Sequence, residues 1–225
     1  MAHVEVSISE RPILFSAPMV QAILNGRKTQ TRRILKSRWF KISEDSGHLR
    51  FDPDSDSDNG RSLAGCGPFD PKNLESQRHA CSFNPYGQAG DRLWVRETWR
   101  ELGSVQRADG KIGVGTNFYR NLIYRADGHE YDGPWRPSIY MPRKASRITL
   151  EIINIRVEQL QEITREDAAA EGMSFLDSST GRHQMCDGES AAQYMFQTRW
   201  DSLNAKRGYS WESNPWVWVI EFKKL

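Results

Sequence analysis

The spacing of apolar positions predicts a strand and a helix near the start of the chain. Ile13-Leu14-Phe15 is typical of a short buried strand. Ser16 is a candidate N-cap for the helix, and Asn25-Gly26 ends it because both residues tolerate positive φ. The helical spacing is carried by Met19, Val20, Ile23 and Leu24. From Arg27 to Arg33 we expect a loop or turn that leads into Ile34-Leu35.

Two predicted strands lie in the middle of the chain. A turn at Gly90-Asp91 precedes RLWVRETW, where the alternation predicts that Leu93, Val95 and Glu97 share one face, opposite Trp94 and Arg96. Residues 146–157 alternate with a phase change at Ile152-Ile153, which indicates a bulge.

The last third holds the clearest elements. Thr164 opens a helix with a capping-box-like start, and Gly172 ends it. Residues 190–203 have helical spacing, and WVWVIEF at 216–222 is the clearest strand. Residues 118–125 are a further strand candidate, whereas the prolines and glycine within 127–142 exclude regular structure.

Between these elements the apolar pattern is lost. The stretch DPDSDSDNG is acidic and rich in serine, and its spacing does not fit an EF-hand calcium loop. We interpret about 37–90, 101–137 and 174–190 as insertions in a single domain spanning 1–225. Strands outnumber helices and are mostly distant in sequence. The pattern therefore predicts an α+β fold: a small mixed β-barrel with two or three packed helices and long loop insertions.

Composition excludes several classes of protein. Hydrophobic residues make up 38% of the 225, and the net charge of +2 is too small to indicate a nucleic-acid binder. The three cysteines are odd in number and irregularly spaced, which argues against a disulfide framework. No apolar run is long enough to span a membrane, and the first residues lack a signal-peptide core. We expect a cytoplasmic protein.

The segment Gly26–Arg33 (GRKTQTRR) combines bases and two hydroxyls directly after a helix end. It lacks the spacing of a phosphate-binding loop. By composition alone it is a solvated basic turn, but Gly26, Lys28, Thr31 and Arg33 match the G-x-K-x-x-T-x-R pattern of ASCH domains. The chain resembles the longer phage and prophage members of that family over about residues 11–36, 88–100 and 138–225. The resemblance implies a PUA-like β-barrel.

The resemblance also implies a site. The segment 25–33 is similar to A-G-R-K-T-x-T-x-R in the family's small bacterial N4-acetylcytidine amidohydrolases, with Asn25 in place of Ala. Residues 163–173 are similar to their L-T-x-x-x-A-x-x-E-x-M segment. By this resemblance Thr31 is the nucleophile, Lys28 the proton acceptor and Glu171 the proton donor. The implied reaction converts N4-acetylcytidine to cytidine and acetate, with no metal or cofactor.

These roles make chemical sense. A threonine hydroxyl attacks an amide only beside a base, and the leaving nitrogen needs an acid. Lys28 must lose its proton near neutral pH, which requires about 4 kcal/mol of desolvation and like-charge repulsion. Arg32 and Arg33 are candidate sources of that repulsion. Because the Glu171 carboxylate would hold the amine charged, we expect Lys28 and Glu171 to share one proton.

Candidate residues for holding the cytosine base are Phe15, Arg33, Trp94 and Glu97, since aromatic faces stack on pyrimidines and charged groups recognise their edge. Core packing is the alternative for the aromatics. A structural zinc site would have to use Cys66, His79, Cys81, His183 and Cys186, which lack zinc-ligand spacing.

Two alternatives remain open from the sequence. PUA-like barrels commonly bind RNA, and eight Trp with 31 Lys and Arg are compatible with an RNA-binding module. A ribonuclease that activates a ribose 2′-hydroxyl is the other. A basic stripe leading from Lys28 would favour RNA, whereas an enclosed pocket would favour a modified cytosine nucleoside.

Overall fold

A computed structural model describes residues 8–36, 40–42, 49–51, 70, 72–73, 84–101, 122–128, 133–173 and 191–225, with only the backbone of 40–42 and 49–51. The strands are β1 (Glu10–Leu14), β2 (Gln30–Ile34), β3 (Phe40–Ile42), β4 (Leu49–Phe51), β5 (Arg92–Arg96), β6 (Trp99–Glu101), β7 (Leu122–Tyr124), β8 (Thr149–Gln159) and β9 (Trp216–Lys224). The α-helices are α1 (Ala17–Leu24), α2 (Arg165–Ala170) and α3 (Ala191–Asn204). Short 3₁₀ turns lie at 125–127, 138–140, 143–145, 160–162 and 205–207.

Five strands form one mixed sheet in the order β1-β5-β8-β9-β2. β1 runs parallel to β5, and the other three pairs are antiparallel. Two small antiparallel pairs, β3–β4 and β6–β7, complete the described strands. This is the predicted α+β class. Over the described residues the sheet does not close into a barrel, because β1 and β2 remain its two edges.

The apolar run of β9 is buried on both faces of the sheet. Trp218, Ile220 and Phe222 belong to the main core with α1 and the centre of β8. Val217 and Val219 point the other way, into a second core with Phe196 and Trp200 of α3. A strand covered on both sides has no polar face, which explains why WVWVIEF lacks alternation.

Several predicted details are present. The register of β8 against β9 shifts between Ile152 and Asn154, at the predicted bulge. The Thr164 hydroxyl caps α2 by accepting a hydrogen bond from the Asp167 amide at 3.1 Å. Gly26 and Gly172 have φ of +72° and +87° after the ends of α1 and α2.

The predicted loop at Arg27–Arg33 is wrong in its second half, because Gln30–Ile34 forms β2 and pairs with β9. β2 has no apolar alternation because its buried side chains are polar: Gln30, Thr31 and Arg32 are each at most 5% exposed. A polar strand that lines a site is invisible to hydrophobic periodicity.

Some predictions lie largely or wholly outside the described residues. They include the insertions at 37–90, 101–137 and 174–190, the first part of the 118–125 strand, and the cysteines and histidines weighed as zinc ligands. No helix in the described part of the chain is long and apolar enough to cross a membrane.

Candidate active site

The end of α2 is joined to the segment before β2 by backbone contacts. Lys28 and Glu171 form an isolated antiparallel bridge, and the Thr29 amide donates to the Ala170 carbonyl at 2.9 Å. Gly172 makes the close approach possible: a Cβ at this position would lie 3.0 Å from the Cβ atoms of Ala22 and Lys28. Two segments 143 residues apart thus bring a lysine and a glutamate together.

The Lys28 amine is 3% exposed and has an acceptor for each of its three possible hydrogens. Nζ lies 2.7 Å from the Gln30 carbonyl oxygen, 2.9 Å from the Glu171 carbonyl oxygen and 2.6 Å from Glu171 Oε2. Burial lowers the pKa of Lys28, Glu171 opposes that effect, and the positive charges of Arg33 and Arg199 add to it. The pKa of this amine is lowered overall.

The other carboxylate oxygen of Glu171, Oε1, contacts Arg32. Arg32 Nη1 lies 3.4 Å from Glu171 Oε1, and Nη2 contacts both Glu158 and Asp167, the latter at 2.9 Å. The guanidinium of Arg156 lies beyond and pairs with the same two carboxylates. Burial raises the pKa of Asp167, but Arg32 and Arg156 outweigh it, so this pKa is lowered overall. Arg32 thus anchors Glu171 in a buried ionic network.

A cavity of about 600 Å³ opens beside this pair. Lys28, Thr31 and Glu171 all line it. Thr31 is 4% exposed and pairs with Ile220 of β9, which holds the backbone of the hydroxyl-bearing residue in place. The volume lies within the roughly 300–1,000 Å³ of ligand pockets for small molecules.

Phe15 and Arg33, both predicted to hold the base, line the same cavity. The Phe15 ring lies 5.7 Å from Lys28 Nζ and 5.0 Å from the Arg33 guanidinium carbon, measured to its centroid. Arg33 Nη2 donates to the Leu14 carbonyl at 2.6 Å, so a side chain from one sheet edge reaches the other. Burial lowers the pKa of Arg33 and raises that of the neighbouring Tyr86, which is also in the lining.

Trp94 and Glu97 are not in the lining formed by described residues. The Trp94 ring packs beneath the guanidinium groups of Arg96 and Arg143. Glu97 is 1% exposed and accepts two hydrogen bonds from Arg147, at 2.9 and 3.0 Å. Burial raises the pKa of Glu97, and Arg147 opposes the effect. The cost of burying the Glu97 carboxylate directly after β5 is thus offset by an ion pair.

Sequence reasoning missed the contribution of α3. Phe196, Arg199 and Trp200 line the cavity, and Arg199 contributes to lowering the pKa of Lys28. Arg32 was a candidate source of repulsion on Lys28, but this guanidinium pairs with three carboxylates. The cations that lower the pKa of Lys28 are Arg33 and Arg199. Nothing in the local pattern of 190–203 distinguishes a residue that faces a cavity from one that faces solvent. In the part of the chain described, no group of three or more His, Cys, Asp or Glu side chains is arranged to hold a metal ion.

No protein-family model and no curated protein matches the chain. A solved structure similar to it is the ASCH domain from Lactobacillus crispatus JV V101, with 13% sequence identity and a TM-score of 0.38. The similarity covers 96% of this chain and 79% of that chain. That neighbour is an ASCH domain. Similarity this weak carries no argument about this chain, so ASCH membership, the phage type and the amidohydrolase similarity stay predictions.

Proposed function

We propose that this chain hydrolyses the N4-acyl amide of an acylated cytosine nucleoside, such as N4-acetylcytidine. Thr31 is the nucleophile, Lys28 the base and Glu171 the acid. The observation that carries the proposal is the buried pair of Lys28 Nζ and Glu171 Oε2, 2.6 Å apart, on the wall of a cavity that Thr31 also lines.

The pair can exist in two forms with the same three hydrogen bonds. In one form a charged Lys28 donates to the Glu171 carboxylate. In the other, the proton has moved to Oε2, and the neutral amine accepts a hydrogen bond from the carboxyl group. Burial of Lys28 disfavours its charge and supports the neutral form. A pair that shares one proton contains both a base and an acid.

The reaction begins from the neutral form. As the Glu171 carboxyl group turns its proton from Lys28 Nζ towards N4, the lone pair of the amine becomes free. The Thr31 oxygen then attacks the acyl carbon while its proton moves to Lys28 Nζ. The bond from carbon to N4 then breaks, and the Glu171 carboxyl group gives its proton to N4. Cytidine leaves with its amino group, Thr31 holds the acyl group as an ester, and the pair is now the charged form.

Water completes the cycle. The Glu171 carboxylate takes a proton from the attacking water, and Lys28 returns its proton to the Thr31 oxygen as the ester bond breaks. The acid product leaves, and the neutral pair is restored. No cofactor takes part in these steps, because each proton is given and taken by the same two side chains.

The cavity walls suit a pyrimidine. Phe15, Phe196 and Trp200 supply aromatic surface for stacking, and Arg33 supplies hydrogen-bond donors for a carbonyl oxygen. The substrate is therefore proposed as a small molecule that occupies the cavity.

The test is incubation with N4-acetylcytidine while the ultraviolet spectrum is followed to that of cytidine. Thr31→Ala should lower kcat by at least about 10³-fold, and Lys28→Ala and Glu171→Ala by about 10²–10⁴-fold. Thr29→Ala is the matched control, because Thr29 is exposed and two residues away on the same segment. Mass spectrometry of quenched reactions should find an acyl group on Thr31.

A folded wild-type protein that leaves N4-acetylcytidine unchanged would overturn the proposal. Equal activity of the Thr31→Ala and Thr29→Ala variants would exclude Thr31 as the nucleophile, even if the reaction occurs.

A further inference from the structure

The cavity carries an excess of positive charge. The side chains of the described lining include six cations and a single carboxylate, that of Glu171. The cations are Lys28, Arg32, Arg33, Lys36, Arg199 and Arg207. The proposed hydrolysis of a neutral nucleoside uses Lys28 as the base, Arg32 to hold Glu171 and Arg33 to bind the cytosine, so it does not require all six.

Carboxylates balance Lys28 and Arg32. Lys28 pairs with Glu171, and Arg32 pairs with Glu158, Asp167 and Glu171. Arg33 makes a hydrogen bond to a carbonyl, while its buried Nε has no partner among the described residues. The positive charge of Arg33 in the cavity wall is therefore not paired with a carboxylate of the described residues.

Three cations line the outer part of the cavity: Lys36 two residues after β2, Arg199 on α3, and Arg207 in the turn that follows α3. We call them the basic rim. Lys36 and Arg207 are exposed and Arg199 is half-buried, so their charges lie where the cavity meets solvent. Arg199 Nη2 lies 3.3 Å from Ser16 Oγ, and Lys36 Nζ lies 5.2 Å from the centre of the Tyr209 ring.

We propose that the substrate carries a phosphate on its sugar, so that it is an acylated cytosine mononucleotide held by the basic rim. This inference rests on the proposed function and names its substrate class. Arginine side chains present paired donors that match phosphate oxygens, and a charged cleft attracts an anion over a distance. In this arrangement the cytosine base lies against the aromatic wall beside Lys28 and Thr31, and the phosphate lies at the basic rim.

The experiment compares kcat/KM for N4-acetylcytidine, its 5′-monophosphate and a short oligonucleotide that contains the same base. We expect the monophosphate to exceed the nucleoside by about 10-fold or more, equivalent to about 1.4 kcal/mol. Arg207→Gln and Arg199→Gln should each lower this ratio by about 3- to 10-fold. Because Arg199 also influences Lys28, the ratio between substrates is the readout, and not the basal rate.

Lys206→Gln is the matched control, since Lys206 is an exposed cation beside Arg207 outside the described lining. It should leave the ratio unchanged. Raising the salt concentration should lower the ratio, because salt screens exposed charges. If the kcat/KM of the monophosphate is close to that of the nucleoside, or if only the oligonucleotide reacts faster, the mononucleotide is not the preferred substrate and the inference is overturned.

Binding separates this inference from the proposed function. Calorimetry should show tighter binding of cytidine 5′-monophosphate than of cytidine, with the difference lost in Arg207→Gln. That result without any hydrolysis would support the phosphate site and reject the amidohydrolase. Hydrolysis of the nucleoside without any gain from phosphate would do the reverse.

Discussion

Glu171 holds the amine of Lys28 twice, through its carboxylate oxygen at 2.6 Å and its backbone carbonyl at 2.9 Å. A side-chain substitution at 171 therefore removes one of these contacts and leaves the other. The backbone bridge keeps the two residues adjacent.

This relationship predicts strong coupling between the two residues. Lys28→Met and Glu171→Gln should each destabilise the fold by about 3–5 kcal/mol, because each breaks a buried pair and leaves the remaining group without one of its hydrogen-bond partners. The double variant should cost less than the sum, with a coupling of about 1–3 kcal/mol. Urea unfolding of the four proteins measures this cycle. Costs that add within about 0.5 kcal/mol would contradict a coupled pair.

The shared proton predicts a bell-shaped dependence of kcat/KM on pH. At low pH the pair gains a second proton and loses its base, and at high pH it loses its remaining proton and its acid. Arg199 lowers the pKa of Lys28, so Arg199→Gln should raise that pKa and move the curve to higher pH. The exposed cation Lys223, which pairs with Glu151, is the control position. Lys223→Gln should leave the curve in place.

Arg32 should be required for the position of Glu171. Arg32→Met leaves Glu158, Asp167 and Glu171 without a shared cation and should destabilise the fold by about 3–5 kcal/mol. Arg32→Lys keeps the charge but loses the fork, so a lower kcat with a smaller stability loss is expected. Arg165→Lys, at an exposed position of α2, is the comparison. If Arg32→Lys changes stability and kcat as little as Arg165→Lys does, the paired N–H donors of the Arg32 guanidinium have no role.

Gly26 and Gly172 both have positive φ but should respond differently to alanine. At Gly26 an added Cβ meets no atom within 4 Å, so Gly26→Ala should cost only the backbone strain of about 1–2 kcal/mol. At Gly172 it also presses on Ala22 and Lys28, which should bring the cost to about 2–5 kcal/mol. Gly172→Ala should lower kcat as well. Equal activity of the two variants would show that the close approach does not position Lys28.

Glu97 should behave as a structural residue. Its carboxylate is held by Arg147, away from the described lining of the cavity. Glu97→Gln should lower the free energy of unfolding by roughly 1–3 kcal/mol, through weaker hydrogen bonds to Arg147. KM should stay within about twofold of the wild type. A large rise in KM at unchanged stability would indicate that Glu97 contacts the substrate after all.

Apolar spacing was sufficient to predict the elements whose partners are apolar. The strand at 216–222, the bulge in β8 and the helix capped by Thr164 all follow from local pattern. β2 was not predicted as a strand, because its buried side chains face a cavity and an ionic network. Burial of a polar side chain depends on partners far away in sequence, which local periodicity does not contain.

The same reason limits prediction of the site. Family motifs indicated Lys28, Thr31 and Glu171, and all three line one cavity, although their chemical roles stay predictions. Arg199 comes from a helix whose sequence has no motif of its own, and its place in the site is visible only once α3 has packed. Glu97 illustrates the converse: a buried carboxylate directly after a strand can be balanced by an arginine 50 positions away.

The hydrogen bond from Arg33 to the Leu14 carbonyl has a mechanical consequence. Over the described residues β1 and β2 share no backbone ladder, so this seam is held by a side chain. Separating two paired strands breaks several hydrogen bonds together, whereas rotation of one arginine would break this one. A ligand that drew Arg33 towards itself would therefore remove this link between the two edge strands.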